Sequence, residues 1–264
     1  MIRSHACLLM AILILASWGC NRSDREPRKE AELDPHSESI LQPYDDARTV
    51  LEKAAKAAGG EGASARWRCG SVKFSMSLPG GDCVTEETFQ LPGQFKRVVV
   101  GKEGAVDHSL VFVLDKGKWW SKKDQAPAER LEVVVPEKTE HQFAEVTRVP
   151  QVAENGQQLI EPHGLQIDGH AVIGVRVRRG ELDPVDCFFS TETGLMLEIR
   201  KTVPGDDPDK PAVITTHLSH YKNFQGCMVP TRIKGEKDGT VFLDVSIIGV
   251  KFEQRIDDSV FAKP

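Results

Sequence analysis

Polar and apolar residues alternate with period two over much of this chain. Val72, Phe74, Met76 and Leu78 are interleaved with Ser71, Lys73, Ser75 and Ser77, which predicts a half-buried strand. Pro79-Gly80-Gly81-Asp82 turns the chain, Val84–Leu91 returns, and Phe95–Val100 forms a third strand after Pro92-Gly93. Leu110–Leu114 and Lys118–Ser121 flank Asp115-Lys116-Gly117, the pattern of a tight hairpin. In the second half, His170–Arg178, Val185–Ser190, Leu195–Thr202, Val213–Phe224, Val229–Lys237 and Thr240–Phe252 read as further strands. Their turns fall at Thr191-Glu192-Thr193-Gly194, Gln225-Gly226 and Lys237-Asp238-Gly239, and residues 204–209 are a polar loop. Asp-Gly is a strong hairpin signal. Short turns between successive strands imply antiparallel pairing.

The period lengthens at two places. Val50, Leu51, Ala54, Ala55 and Ala58 form a helical stripe over 46–58, with Asp45 or Asp46 as cap and Gly59-Gly60 as the stop. Leu131–Val135 reads either as strand or as the lead into a helix. Pro136 suits the start of that helix, Phe143, Val146 and Val149 lie on one side of 137–149, and Pro150 ends it. About ten strands with two or three helices imply a large curved sheet with helices on one face.

The N-terminus follows a different logic. Arg3 precedes an apolar run from Ala6 to Trp18, which ends at Gly19-Cys20 and the polar Asn21-Arg22-Ser23-Asp24. This is the layout of a bacterial secretory signal. The run has about 13 residues, whereas a spanning helix needs about 20. A small residue directly before a cysteine is what lipoprotein processing requires, so residues 1–19 are expected to be a removable signal and Cys20 the site of lipidation. Ser17, where lipoprotein signals usually carry an aliphatic residue, and the bulky Trp18 depart from that pattern, and an ordinary signal cleaved nearby is the alternative. Residues 20–44 are charged and rich in Pro and Ser, as a disordered tether is. Residues 45–264 are then one domain, a length that all-β domains reach. The expected address is the periplasmic face of a bacterial membrane, the outer one ahead of the inner.

The chain carries 28% charged residues and a formal net charge of −5, so nucleic acid is not an expected partner. Beyond Cys7 and Cys20 it has Cys69, Cys83, Cys187 and Cys227. In an oxidising compartment four cysteines permit two disulfides. The preferred pairing is Cys69–Cys83 with Cys187–Cys227, and four buried thiols are the alternative.

Several segments taken in order resemble the LolA-like family of exported lipoprotein carriers and outer-membrane lipoprotein-sorting proteins, in a divergent, membrane-tethered form. They are Leu51-Glu52-Lys53-Ala54 with Ala58-Gly59-Gly60, then Leu91-Pro92-Gly93-Gln94-Phe95-Lys96-Arg97, then Gly117-Lys118-Trp119-Trp120. Phe188-Phe189-Ser190 through Gly194-Leu195, Tyr221-Lys222 through Val229-Pro230, and the closing Asp257–Pro264 complete the set. The resemblance spans residues 46–264. It implies an α+β fold, mainly antiparallel β: an unclosed half-barrel with helices covering the concave face and an apolar cavity between. It further implies a non-enzymatic protein that binds a lipid or lipoprotein acyl chain, while the lipidated Cys20 is the expected membrane contact and an envelope protein a further candidate partner. The resemblance carries over no binding residue.

The residues themselves offer little catalysis. There is no Gly-x-Ser-x-Gly elbow, Walker loop, dinucleotide fingerprint or His-Glu-x-x-His, so neither an enzymatic nucleophile nor a cofactor is expected. Cys69 beside Arg66 and Arg68 has the charge environment of a thiolate, although a structural role is the commoner one. His217 and His220, three apart on a strand, face opposite sides, and His163 and His170 lack a third ligand, so no metal site is expected. Trp119-Trp120 is the strongest apolar feature. On a strand the two indoles face opposite sides. The inward one either packs the core or lines an acyl pocket with Phe74, Met76 and Phe112. A half-barrel filled by its own side chains, presenting a surface to an envelope partner, is the competing function.

Overall fold

The computed structural model describes residues 47–78, 81–103, 106–131, 157–160, 165–177, 184–205 and 210–264. The signal, Cys20, the tether, the Asp45 and Asp46 caps, Pro79-Gly80, 132–150 with its helix, and His163 lie outside them.

Helix α1 (Ala47–Ala57) buries Ala47, Val50, Leu51 and Ala54, the stripe that the period predicts. Its stop is set by a close approach. Gly59 has φ +119°, and a Cβ there would lie 2.2 Å from the carbonyl oxygen of Gly226. The Met228 amide donates to the Ala58 carbonyl at 3.0 Å, tying the helix end to a distant strand. Helix α2 (Glu61–Arg66) follows and delivers Trp67, which is 3% exposed.

Two meanders then build one sheet. The first is β1 (Cys69–Leu78), β2 (Gly81–Gln90), β3 (Gln94–Glu103), β4 (Val106–Asp115), β5 (Lys118–Lys123) and β6 (Glu129–Leu131). The second is β7 (Gln157–Ile160), β8 (Gln166–Ile167), β9 (His170–Val177), β10 (Val185–Ser190), β11 (Met196–Val203), β12 (Ala212–Phe224), β13 (Cys227–Lys237) and β14 (Thr240–Phe252). The order across the sheet is β6-β5-β4-β3-β2-β1-β14-β13-β12-β11-β10-β9-β7, with β8 paired to β9. All pairings are antiparallel, and the seam between the meanders aligns Val72 with Val250 and Met76 with Val245. The strands β6 and β7 at the two ends do not pair, so the sheet is an unclosed half-barrel. Lys116-Gly117, Asp168-Gly169, Gln225-Gly226 and Asp238-Gly239 each have positive φ at both residues, the geometry of type I′ hairpins that match strand twist.

The faces differ sharply. The concave face carries the main core, where Leu51, Ala54, Ala63 and Trp67 meet Val72, Phe74, Phe89, Val175, Phe189 and Val229. The convex face of β9–β14 is a ladder of ion pairs. Arg176 grips Asp186 with bonds of 2.7 and 2.9 Å. Glu198 accepts from Arg200, His217 lies 3.1 Å from Glu198, and Arg232 pairs with Asp244. A patch of the convex side at Val111, Val113 and Trp120 on β4 and β5 is instead apolar and covered. Past β14 the chain crosses it and ends in a 3-10 turn, Asp258–Phe261, packing Ile256 and Phe261 on Cys69 and Val113.

Candidate functional site

Four of the five sequence-predicted lining residues share the concave face. Phe74 stands between Thr85 on β2 and Ile247 on β14, and Met76 between Cys83 and Val245. Phe112 lies beside Arg97 on β3 and Ser121 on β5, while Trp119 lies beside Leu114 and Leu131. Trp119 and Phe95 meet as tilted rings 6.3 Å apart. Trp120 is the indole of the pair that faces away. Its side chain is on the convex face, packed against the cluster of Val113 and Phe261, with Lys263 Nζ 4.7 Å from its ring centroid. Strand alternation allows only one of two adjacent indoles to face inward.

Helix α1 lies over the β7 and β9 side of the concave face, and Trp67 covers it near β2 and β14. Trp67 stacks on Phe89 with ring centroids 6.1 Å apart and meets Phe252 edge-on at 4.8 Å. On the concave face Phe74 is 5%, Met76 7% and Phe112 9% exposed.

Sequence reasoning missed a polar pair inside this apolar wall. Glu87 and Arg97 face each other across β2 and β3 on the concave side. Arg97 Nε donates to Glu87 Oε1 at 2.7 Å and Nη2 approaches the same oxygen at 2.6 Å. Burial pushes the Glu87 carboxyl above its ordinary range, against the pull of the Arg97 charge and hydrogen bond. Glu87 Oε2, Thr85 Oγ1 and Trp119 Nε1 are buried without a hydrogen-bond partner among the described residues. The signal was present in the register: Glu87 shares strand parity with Cys83 and Phe89, and Arg97 shares it with Phe95 and Val99. It was hidden because Glu86 and Thr88 make the other parity polar as well.

The cysteines do not form the expected pairs, and none of the four is in a disulfide. Cys69 pairs in register with Gln90 and Cys83 with Met76, so they are seven positions apart along a hairpin, roughly 23 Å. They also face opposite sides. Cys187 on β10 and Cys227 on β13 are three strands apart, about 14 Å, far beyond the Cα separation of under about 7 Å that a disulfide spans. Nor is Cys69 an activated thiol: burial, then the Glu253 charge, push it upward. His217 and His220 do not converge. His217 lies between Glu198 and Glu236, and His220 pairs with Ser219 in a residue of positive φ. Among the described residues no group of three His, Cys, Asp or Glu side chains could hold a metal ion.

No family model matches the sequence. No curated protein matches it. Solved structures match its fold. A LolA superfamily protein from Nitrosomonas europaea superposes with a TM-score of 0.52 at 15% identity, over 83% of this chain and 99% of that one. A DUF1329 family protein from Desulfovibrio piger gives 0.52 at 12% identity, over 83% and 98%. A domain assigned to outer membrane lipoprotein sorting in Vibrio parahaemolyticus gives 0.50 at 10% identity, over 83% and 98%. At these identities the likeness is one of fold: the chain folds as a LolA-type half-barrel.

Proposed function

We propose that this chain is an exported, non-enzymatic envelope protein that holds a lipid or lipoprotein acyl chain against its concave face. The observation that carries the reading is the apolar concave face to which Phe74 and Met76 on β1, Phe112 on β4 and Trp119 on β5 all contribute. Such a wall binds hydrocarbon through area removed from water, roughly 0.8 kcal/mol per CH₂. Shielding the chain from water is the whole mechanism, and no reactive group is required. The solved structures of the same fold include one assigned to lipoprotein sorting, which supports the reading. Lipidation at Cys20 would tether the half-barrel, residues 45–264, through residues 20–44 to the periplasmic face of the outer membrane. Two or more acyl chains on one cysteine anchor stably, one only marginally.

The tight closure of the wall favours a second reading. With Val72 at 0% and Leu114 at 2% exposure, side chains fill much of the interior, as in a structural lipoprotein that binds no ligand. One experiment separates the two. The full-length protein is purified from membranes and its extracted lipids are identified by mass spectrometry. Recovery of an acyl lipid in near-stoichiometric amount is expected, and a lipid-free protein would leave the filled barrel. In parallel, Cys20→Ser is expected to abolish incorporation of labelled fatty acid. If the wild type incorporates none, the anchor is rejected.

A further inference from the structure

The unpaired polar atoms of the concave face lie where an apolar wall has least use for them. Thr85 and Glu87 are both 0% exposed, so water does not satisfy them. Their nearest cross-strand neighbours are Phe74 and Val72 on one side, and Val99 and Arg97 on the other. Only Arg97 can pair, and both of its contacts fall on Oε1. A guanidinium meeting a carboxylate solely to balance charge commonly engages both oxygens. Here Oε2 is left over, an acceptor without a donor, and Thr85 Oγ1 is left over beside it on the same strand face. Buried polar groups in native proteins are rarely left so, and each exception calls for a partner.

We propose that Thr85 and Glu87 form a polar recognition point for an amide-linked acyl chain. This inference rests on the acyl-binding reading above and names the chemistry of its ligand. A trans amide carries its carbonyl oxygen and its N–H on opposite sides. With one hydrogen bond on each side it spans about 8 Å. Side chains two apart on a strand leave the same face about 7 Å apart, which suits that span. The ligand N–H donates to Glu87 Oε2, and its carbonyl accepts from the Thr85 hydroxyl. An ester of equal length offers Thr85 the same carbonyl but gives Glu87 no donor. The carboxylate then stays buried and unpaired, and a site built to hydrogen-bond a donor rejects the analogue lacking it. Both residues are shielded from solvent, so the side chains that cover them must part for the ligand to reach them.

The test is competition between N-ethylpalmitamide and ethyl palmitate on the full-length protein, read by native mass spectrometry. The two probes share chain length, volume and neutrality. The amide is expected to be preferred by about tenfold or more. Glu87→Gln replaces the acceptor by an NH₂ donor and is expected to erase or invert that preference. Thr85→Val removes the partner common to both carbonyls and is expected to weaken both probes while the preference remains. Circular dichroism melts establish that each variant is folded. Should Glu87→Gln fail to fold, the wild-type preference and the uniform loss in Thr85→Val still decide. Equal binding of both probes by the wild type, or an amide preference intact in Glu87→Gln, overturns the inference and leaves the acyl-binding reading standing. Binding of neither probe overturns both.

Discussion

A carboxylate and a guanidinium inside a hydrocarbon wall are expensive to desolvate, and the Glu87–Arg97 pair has to be read in that light. A buried pair of this kind is weak evidence of stabilisation, because its attraction barely offsets the loss of water. Breaking it is another matter. Glu87→Leu strands the Arg97 charge, 9% exposed, and is expected to cost about 3–5 kcal/mol in urea unfolding. Replacing both, Glu87→Leu with Arg97→Met, is expected to return the protein to near wild-type stability or above. A double replacement as unstable as the single one would show that the pair itself holds the sheet together. The same residues explain why the site was only half legible. Phe74 and Met76 declare their face by alternation with Lys73, Ser75 and Ser77, whereas Phe112 within the apolar run Leu110–Leu114 and Trp119 beside Trp120 do not. Glu87 sits in Thr85-Glu86-Glu87-Thr88, where neither parity is apolar, and nothing in the period marks which glutamate turns inward.

At the scale of elements, long strands and their hairpins were readable because every side chain reports its face and each turn has its own chemistry. Helix α1 was readable for the same reason at period 3.6. Helix α2 was not: six residues, Glu61–Arg66, are too few for a stripe, and its anchor, Trp67, lies just beyond it. The two- to four-residue strands β6, β7 and β8 carry no period at all. The junction between α1 and α2 has little tolerance. Gly59→Ala combines a left-handed φ with a Cβ 2.2 Å from the Gly226 oxygen, so the helix end must move away from β13. A loss well above 1 kcal/mol is expected in urea unfolding. Gly60→Ala is the control, since a Cβ there meets no heavy atom within 4 Å and carries the backbone strain alone.

For the whole molecule the charged groups divide by sign. The Asp124 carboxyl is held below its ordinary range first by the hydrogen bond from His108, Glu236 by that from Lys234, and Asp257 by its bonds to Ser259. A lowered folded-state value means stability that is present above the ordinary carboxylate range and lost as pH falls through the lowered one. Glu87 acts oppositely. Its raised value means stability that is full below the ordinary 4.5 and lost as pH rises through the folded value. Urea midpoints measured from neutral to acidic pH are therefore expected to fall for the wild type, as these three carboxylates protonate. They are expected to fall more steeply in Glu87→Gln, which lacks the compensating proton uptake. A parallel course for the two proteins would show that Glu87 ionises as it would in the unfolded chain.

The seam between β1 and β14 could not be read from any local pattern, and it governs how the molecule is assembled. Pairings within each meander join strands close in sequence, whereas this one joins Gly70 to Phe252. Loop-closure entropy grows slowly with length, but contacts between such distant partners come late in folding. Strand β1 has ten residues and β14 thirteen, both with one apolar side. Until they meet, each is an open edge able to recruit another chain. Synthesis runs from β1 toward β14, so β1 is made well before its partner. The nascent protein therefore carries an unpaired edge until β14 is made, and a companion that covers β1 in that interval would protect it from pairing with another chain.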